Sequence, residues 1–324
     1  MSDIIENPVN EFNDPVIINT DMSVNIAGIK FNNPVIAASG TFGNSSEYKD
    51  LFDISMLGGI CSKGLTMTAR SGNKGMRIWE TPAGMLNSIG LENIGIVDFI
   101  EKDLPKMKQL GTVIIANLSG GESDEYVRGA ILLNESSVDM IELNISCPNV
   151  KVGGMAFGLD PGTAAALVSA VRRVCRDKPL LVKLSPNAPS LSAVALACVN
   201  AGADALSLVN TFKAMAIDIV NKKPVFENIT AGLSGPAVKP IALRMVWELF
   251  ETLKDSDLNI PIIGIGGISN TNDALEFLMA GANAIQVGSA TFSNPHVMPE
   301  IIEGLRQYMT ANKLTSISEI SIRK

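Results

Sequence analysis

The run Asn144-Ile145-Ser146-Cys147-Pro148-Asn149 sets a thiol between the end of an apolar segment and a proline. A cysteine just past a strand, in a loop that proline stiffens, overhangs the pocket that the strand end faces. An ordinary thiol titrates near ~8.5, so it can accept a proton where neighbouring cations favour the thiolate. Cys61, Cys175 and Cys198 fall inside strand or helix patterns and read as small core residues. His296, the only histidine, sits in Asn294-Pro295-His296 and reads as a surface residue of a loop or helix start. A histidine-based triad is therefore disfavoured, and a general base must come from Cys, Lys, Asp, Glu or Tyr.

Lys63 and Lys183 each close an apolar run, which points both ammonium groups toward one pocket. Two cations there ask for anions: one suits a carboxylate, the other the charge that develops at N1 of a reduced flavin. The competing reading is that both snorkel into solvent, as most lysines do. Asn117, Asn144 and Asn210 also end apolar runs, where a buried amide is costly unless its donors and acceptors are used. A planar heterocycle with alternating N–H and C=O groups would use them, although any one asparagine could equally be a cap or turn. Gly264-Ile265-Gly266-Gly267-Ile268-Ser269 and Val287-Gly288-Ser289-Ala290 follow the last two apolar runs. Glycine lets backbone N–H groups approach a phosphate closely, and the alternative is that these glycines only make tight turns.

These residues need elements to hold them. Eight Val- and Ile-rich runs recur, at 34–38, 59–63, 113–118, 139–145, 180–184, 205–209, 261–265 and 284–287. Segments with helical spacing lie between them at 163–176, 191–201, 237–253 and 271–280, and Gly202 and Gly281 stand where helices should stop. Eight β/α units predict an α/β fold, a (β/α)8 TIM barrel, with a short N-terminal hairpin over 22–31 at the barrel bottom. The polar residues fall at the C-terminal ends of the runs: Ser39, Lys63, Asn117, Asn144, Lys183, Asn210, Gly266 with Gly267, and Gly288 with Ser289. A barrel gathers those ends on one face, so residues far apart in sequence would line a single pocket. The predicted organisation is an N-terminal extension over 1–21 and one barrel domain over 22–324.

In 324 residues, 46% are hydrophobic and 18% charged, which supplies a large core and excludes a disordered chain. The net charge of -7, from 26 basic and 33 acidic residues, offers no field for nucleic acid or an anionic membrane. No run reaches the ~18 apolar residues a membrane span needs. The first basic residue is Lys30, so the start resembles neither a signal nor a transit peptide, and a cytoplasmic location is expected. The cysteines form no CxxC pair, so neither a disulfide framework nor a metal site is expected.

From about residue 33 to residue 295 the chain resembles the class 1 dihydroorotate dehydrogenases. The carriers are Ala38-Ser39-Gly40, Ser62-Lys63-Gly64, Asn87-Ser88-Ile89-Gly90-Leu91, the run from Asn144 to Lys151, Gly153-Gly154, Asn210-Thr211 and Gly232-Leu233-Ser234-Gly235-Pro236. Ser146-Cys147-Pro148-Asn149-Val150-Lys151 with Ala156-Phe157-Gly158 is most similar to class 1B, whose FMN-binding catalytic subunit oxidises dihydroorotate to orotate in pyrimidine (UMP) biosynthesis. The resemblance implies FMN contacts at Ser39, Lys63, Gly64, Asn117, Asn144, Lys183, Val209, Gly235, Gly266, Gly267, Gly288 and Ser289. It implies orotate contacts at Lys63, Asn87, Ser88, Ile89, Gly90, Leu91, Asn144, Asn210 and Thr211, with Cys147 as the catalytic base. It also implies a partner subunit that carries FAD and a 2Fe-2S cluster and passes electrons to NAD, around a homodimer at the core of a heterotetramer. Nothing in this chain's own cysteine spacing would hold that cluster, and no GxGxxG opens a nucleotide-binding domain. Two features depart from the family: Ser289 stands where threonine is usual, and an extra stretch precedes the barrel.

Two other readings remain open at this stage. A dihydropyrimidine dehydrogenase shares the barrel and the loop cysteine but acts on uracil or thymine, which lack the carboxylate that Lys63 would meet. A flavin-free lyase or isomerase of phosphorylated sugars would need only the two glycine motifs, and would be colourless.

Overall fold

Short β-branched runs between amphipathic segments pair most economically in parallel, each crossover helix covering the outer face of the sheet. The computed structural model, which describes residues 20–45, 47–146 and 157–322, has this arrangement. Strands β1 (Val35–Ala37), β2 (Gly59–Cys61), β3 (Val113–Leu118), β4 (Met140–Asn144), β5 (Leu180–Lys183), β6 (Ala205–Leu208), β7 (Ile262–Ile265) and β8 (Ala284–Val287) form a closed barrel in sequence order. All pairs are parallel, and β8 closes on β1 with Ile285 opposite Val35. Each predicted run holds one of these strands.

Three of the covering helices begin where a side chain caps them. Asp160 accepts a hydrogen bond from the Thr163 N–H at the start of α2 (Pro161–Val174), after α1 (Ser123–Glu135). Ser190 caps α3 (Leu191–Asn200), and α4 spans Lys239–Asp255. Asn270 caps α5 (Thr271–Met279), which the short α6 (Ala290–Ser293) and α7 (Val297–Ala311) follow. Side-chain oxygens in these positions satisfy N–H groups that have no partner within the helix. His296 is the exposed residue preceding α7. Among the described residues no helix is long and apolar enough to cross a membrane.

The predicted hairpin is present as strands Val24–Ile26 and Ile29–Phe31, paired antiparallel. Its turn takes Ala27 and Gly28 to φ +50 and +87, the left-handed pair that a two-residue hairpin requires. Ile26 and Phe31 are buried against Ile36, Cys61, Ile115, Met140, Leu181, Ala205, Ile263 and Ala284, a layer to which all eight strands contribute. The hairpin thus plugs the N-terminal end of the barrel, leaving the other end for the site. Of the extension over 1–21 only residues 20 and 21 are described, and the Asp21 backbone bonds to Thr315 and Ile317.

Several elements have no counterpart in the predicted pattern, among them the helices Ser123–Glu135 and Val297–Ala311 and one further sheet. Strands Ile78–Thr81, Gly84–Asn87, Phe212–Met215 and Thr230–Ser234 build a four-stranded antiparallel sheet from the loops after β2 and β6. These strands are only four or five residues long and partly exposed, and Ile78–Thr81, Gly84–Asn87 and Thr230–Ser234 carry little of the alternation that marks a half-buried strand.

Candidate active site

Alternation along a strand sends every second side chain into the barrel. Two residues above the apolar layer, the polar inward positions are Lys63, Asn117, Glu142, Lys183, Ser207 and Gln286 on six different strands or their immediate ends. Above these lies a cleft of about 360 Å³, within the usual ~300–1,000 Å³ of small-molecule sites.

Most of the residues singled out above meet there. Ser39, Lys63, Gly64, Asn87, Ile89, Gly90, Leu91, Asn144, Lys183, Val209, Asn210, Thr211, Gly266, Gly267, Gly288 and Ser289 line the cleft. Asn117, Ser88 and Gly235 do not. Asn117 is fully buried one layer down, and Ser88, 2% exposed, accepts a hydrogen bond from Asn73 that braces the loop. Gly235 lies behind the turn after β7, where its carbonyl oxygen is 2.8 Å from the place a Gly267 Cβ would occupy. Cys147, with residues 148–156, lies outside the described residues.

The cleft is chemically polarised. At one side the turns after β7 and β8 present the backbone of Gly266, Gly267, Gly288 and Ser289, and the short α6 starts there. Loops of this kind beside a short helix hold phosphate in many barrels. The rest offers two ammonium groups, apolar walls at Val209, Ile265 and Ile268, and the amides of Asn87, Asn144 and Asn210. Met85 and Leu233, from the antiparallel sheet, form further parts of the wall. A flat heterocycle carrying a phosphate fits this set of groups: backbone donors for the phosphate, apolar surface for the ring faces, amides and a cation for the ring edge.

Sequence reasoning passed over two acidic residues here. Glu92 lines the cleft, with its carboxylate 3.6 Å from Lys63 and 2.9 Å from Arg77. The Lys63 charge, then the Arg77 hydrogen bond, hold its carboxyl below the usual range. Glu142 is fully buried in β4, inside the apolar run. Its Oε1 accepts from Ser207 Oγ at 2.8 Å and Gln286 Nε2 at 2.9 Å. Its Oε2 accepts from Cys61 Sγ at 3.2 Å and Asn117 Nδ2 at 2.5 Å, and Lys183 Nζ stands 3.7 Å away. Burial pushes this carboxyl up, but Lys183 and the donors from Gln286, Ser207 and Cys61 together outweigh it and leave the group below its ordinary value. The available signal was an acid two residues before Asn144 in an otherwise apolar strand, on the same inward face.

From Glu142 a line of amides climbs to the cleft. Asn144 Nδ2 donates to Asn117 Oδ1 at 3.3 Å, and Asn144 Oδ1 accepts from Ser146 Oγ at 2.8 Å and Asn210 Nδ2 at 3.4 Å. The three asparagines expected to read a heterocycle are therefore one hydrogen-bonded unit.

Comparison with known proteins bears on this geometry. Residues 21–309 match the family model described as dihydroorotate dehydrogenase. A protein of Petrotoga mobilis, named dihydroorotate dehydrogenase B (NAD(+)), catalytic subunit, is 57% identical over 300 residues, covering 93% of this chain and 98% of the relative. Proteins with the same name from Citrifermentans bemidjiense and Caldicellulosiruptor bescii are 50% and 51% identical, again over 93% of this chain, and over 97% and 98% of their own lengths.

Proposed function

The chain belongs to the dihydroorotate dehydrogenase family, and from that premise we propose that it is the FMN-binding catalytic subunit of a class 1B enzyme, oxidising dihydroorotate to orotate. The observation that carries the reading is the convergence of Lys63, Lys183, Asn144, Asn210 and two glycine turns on one cleft at the C-terminal end of the barrel, with Asn117 linked to Asn144 from beneath. Bound FMN supplies the hydride acceptor. Gly266, Gly267, Gly288 and Ser289 would hold its phosphate through backbone N–H groups, and the Ser289 hydroxyl replaces the usual threonine without loss of a donor.

The chain's own residues then have separable tasks. Cys147 takes the proton from C5 of dihydroorotate while the hydride departs from C6. Lys63 pairs with the substrate carboxylate, and the loop of Asn87, Ser88, Ile89, Gly90 and Leu91 encloses it. Asn144, Asn210 and Thr211 fix the pyrimidine ring for transfer, and Lys183 offsets negative charge at the ring edge of the cofactor. A partner subunit carrying FAD and a 2Fe-2S cluster receives the electrons and delivers them to NAD. That assignment accords with the words "catalytic subunit" and "NAD(+)" in the relatives' names.

Anaerobic mixing of the purified chain with dihydroorotate tests this directly. The yellow flavin absorbance is expected to bleach with release of orotate, while the chain alone leaves NAD unreduced. A flavin that stays oxidised, or a protein that takes up no FMN, would overturn the proposal.

Glu92 yields a second measurable consequence. Its carboxylate competes with the substrate's for Lys63, so Glu92→Gln is expected to tighten orotate binding about two- to fivefold, the modest scale of exposed charge pairs. Titrating orotate against the flavin spectrum measures this. Unchanged or weaker binding would remove Lys63 as the carboxylate's partner.

A further inference from the structure

We propose that Glu142 is a positioning residue for the whole site: from beneath the cleft it sets the charge environment of Lys183 and the polarity of the asparagine relay, and thereby lowers the midpoint potential of the bound flavin. This deepens the FMN reading above and rests on it.

Glu142 does not line the cleft and is 0% exposed, so it acts only through its neighbours. Those neighbours come from five other strands: Cys61 from β2, Asn117 from β3, Lys183 from β5, Ser207 from β6 and Gln286 from β8. The layer beneath is built of Ile, Leu, Met, Phe, Ala and Cys, so an apolar residue at 142 would suit packing alone. A buried ion pair is a weak source of stability compared with apolar packing of similar volume. The energetic case for a carboxylate here therefore lies above it, in the site.

A carboxylate can only accept, and this fixes every amide that touches it. Asn117 must give Glu142 its N–H2 end, which leaves Oδ1 for Asn144. Asn144 must then give its N–H2 end to Asn117, which turns Oδ1 toward Ser146 and Asn210. Gln286 is held the same way even though its Oε1 is left buried without a hydrogen-bond partner. A glutamine at 142 could donate as well as accept, so the relay would lose its fixed direction.

The charge matters in the same place. Glu142 stands 3.7 Å from Lys183, the residue whose ammonium faces the cleft from β5, and offsets it where both side chains are buried. With the negative charge removed, the floor of the cleft becomes more positive, and negative charge placed on the cofactor by reduction is better stabilised.

The test is the flavin midpoint potential of the FMN-loaded full chain, measured by dye equilibration. Glu142→Gln is expected to raise it by on the order of 30 mV, a tenfold change in the two-electron reduction constant. Glu142→Asp, which keeps the charge, should stay near the wild type. An unshifted potential in a folded, FMN-binding Glu142→Gln protein overturns the inference, whereas failure of the wild type to bind FMN or accept electrons overturns the underlying function and is seen without any variant. If Glu142→Gln does not fold, the wild type labelled with 13C at its glutamate carboxyls still decides the matter. Its infrared difference spectrum on photoreduction should contain a carboxylate band that disappears in Glu142→Asp, and absence of such a band overturns the proposal.

Discussion

A Cys147→Ala chain is expected to bind FMN and stay yellow with dihydroorotate, its flavin reduction slowed by roughly 10²–10⁴-fold, the usual contribution of a positioned general base. The other cysteines, the cleft carboxylate and the histidine are poor substitutes. Cys198 is buried, which pushes its thiol up to about 12. Burial also raises Cys175, and raises Cys61 further with help from the adjacent Glu142. Glu92 faces the cleft, but Lys63 and Arg77 hold its carboxyl low, which makes it a weak base. His296 is exposed ahead of α7 and does not line the cleft. Stopped-flow bleaching of the FMN-loaded variant measures the effect, and a near-normal rate would take Cys147 out of the mechanism.

Gly267→Ala is expected to weaken FMN binding about 10–100-fold. Gly267 has φ +73, and a Cβ there would lie 2.8 Å from the Gly235 carbonyl oxygen and from Lys239 N. Backbone forced from such a conformation costs ~1–3 kcal/mol, and each ~1.4 kcal/mol is tenfold in affinity when the turn must open to relieve it. Neighbouring Gly266, at φ +131 with a Cβ position 2.8 Å from Ala242 Cβ, leaves no slack on the other side. Fluorescence titration of the apoprotein with FMN gives the dissociation constant. Gly281→Ala, strained at φ +109 but outside the cleft, serves as the control for lost stability alone. Equal FMN affinity in Gly267→Ala and the wild type would place the phosphate somewhere other than this turn.

Much of the architecture could be read from the chain because it is encoded locally. Each barrel strand lies in a short apolar run, the caps of α2, α3 and α5 are each a single Asp, Ser or Asn, and the hairpin turn needs only Ala27 and Gly28. Lys63, Lys183 and Asn144 were legible for a related reason. A polar residue at the C-terminal end of a buried parallel strand has few places to go except the mouth of the barrel. The antiparallel sheet over that mouth was not legible, since its four strands come from loops more than a hundred residues apart and are held by pairings such as Gly232 with Asn87.

The amino-acid sequence by itself determined the eight strand-forming runs, the end of the barrel that carries chemistry, and the residue types collected there. Only closure of the barrel decided what those residues do to one another. Cys61, Asn117, Glu142, Lys183, Ser207 and Gln286 are up to 225 positions apart, and no local pattern says that one carboxylate receives hydrogen bonds or charge from all the others. Periodicity specifies the face on which a side chain stands. The partners it meets on that face depend on strand register around a closed cylinder, and that register is a property of the whole chain.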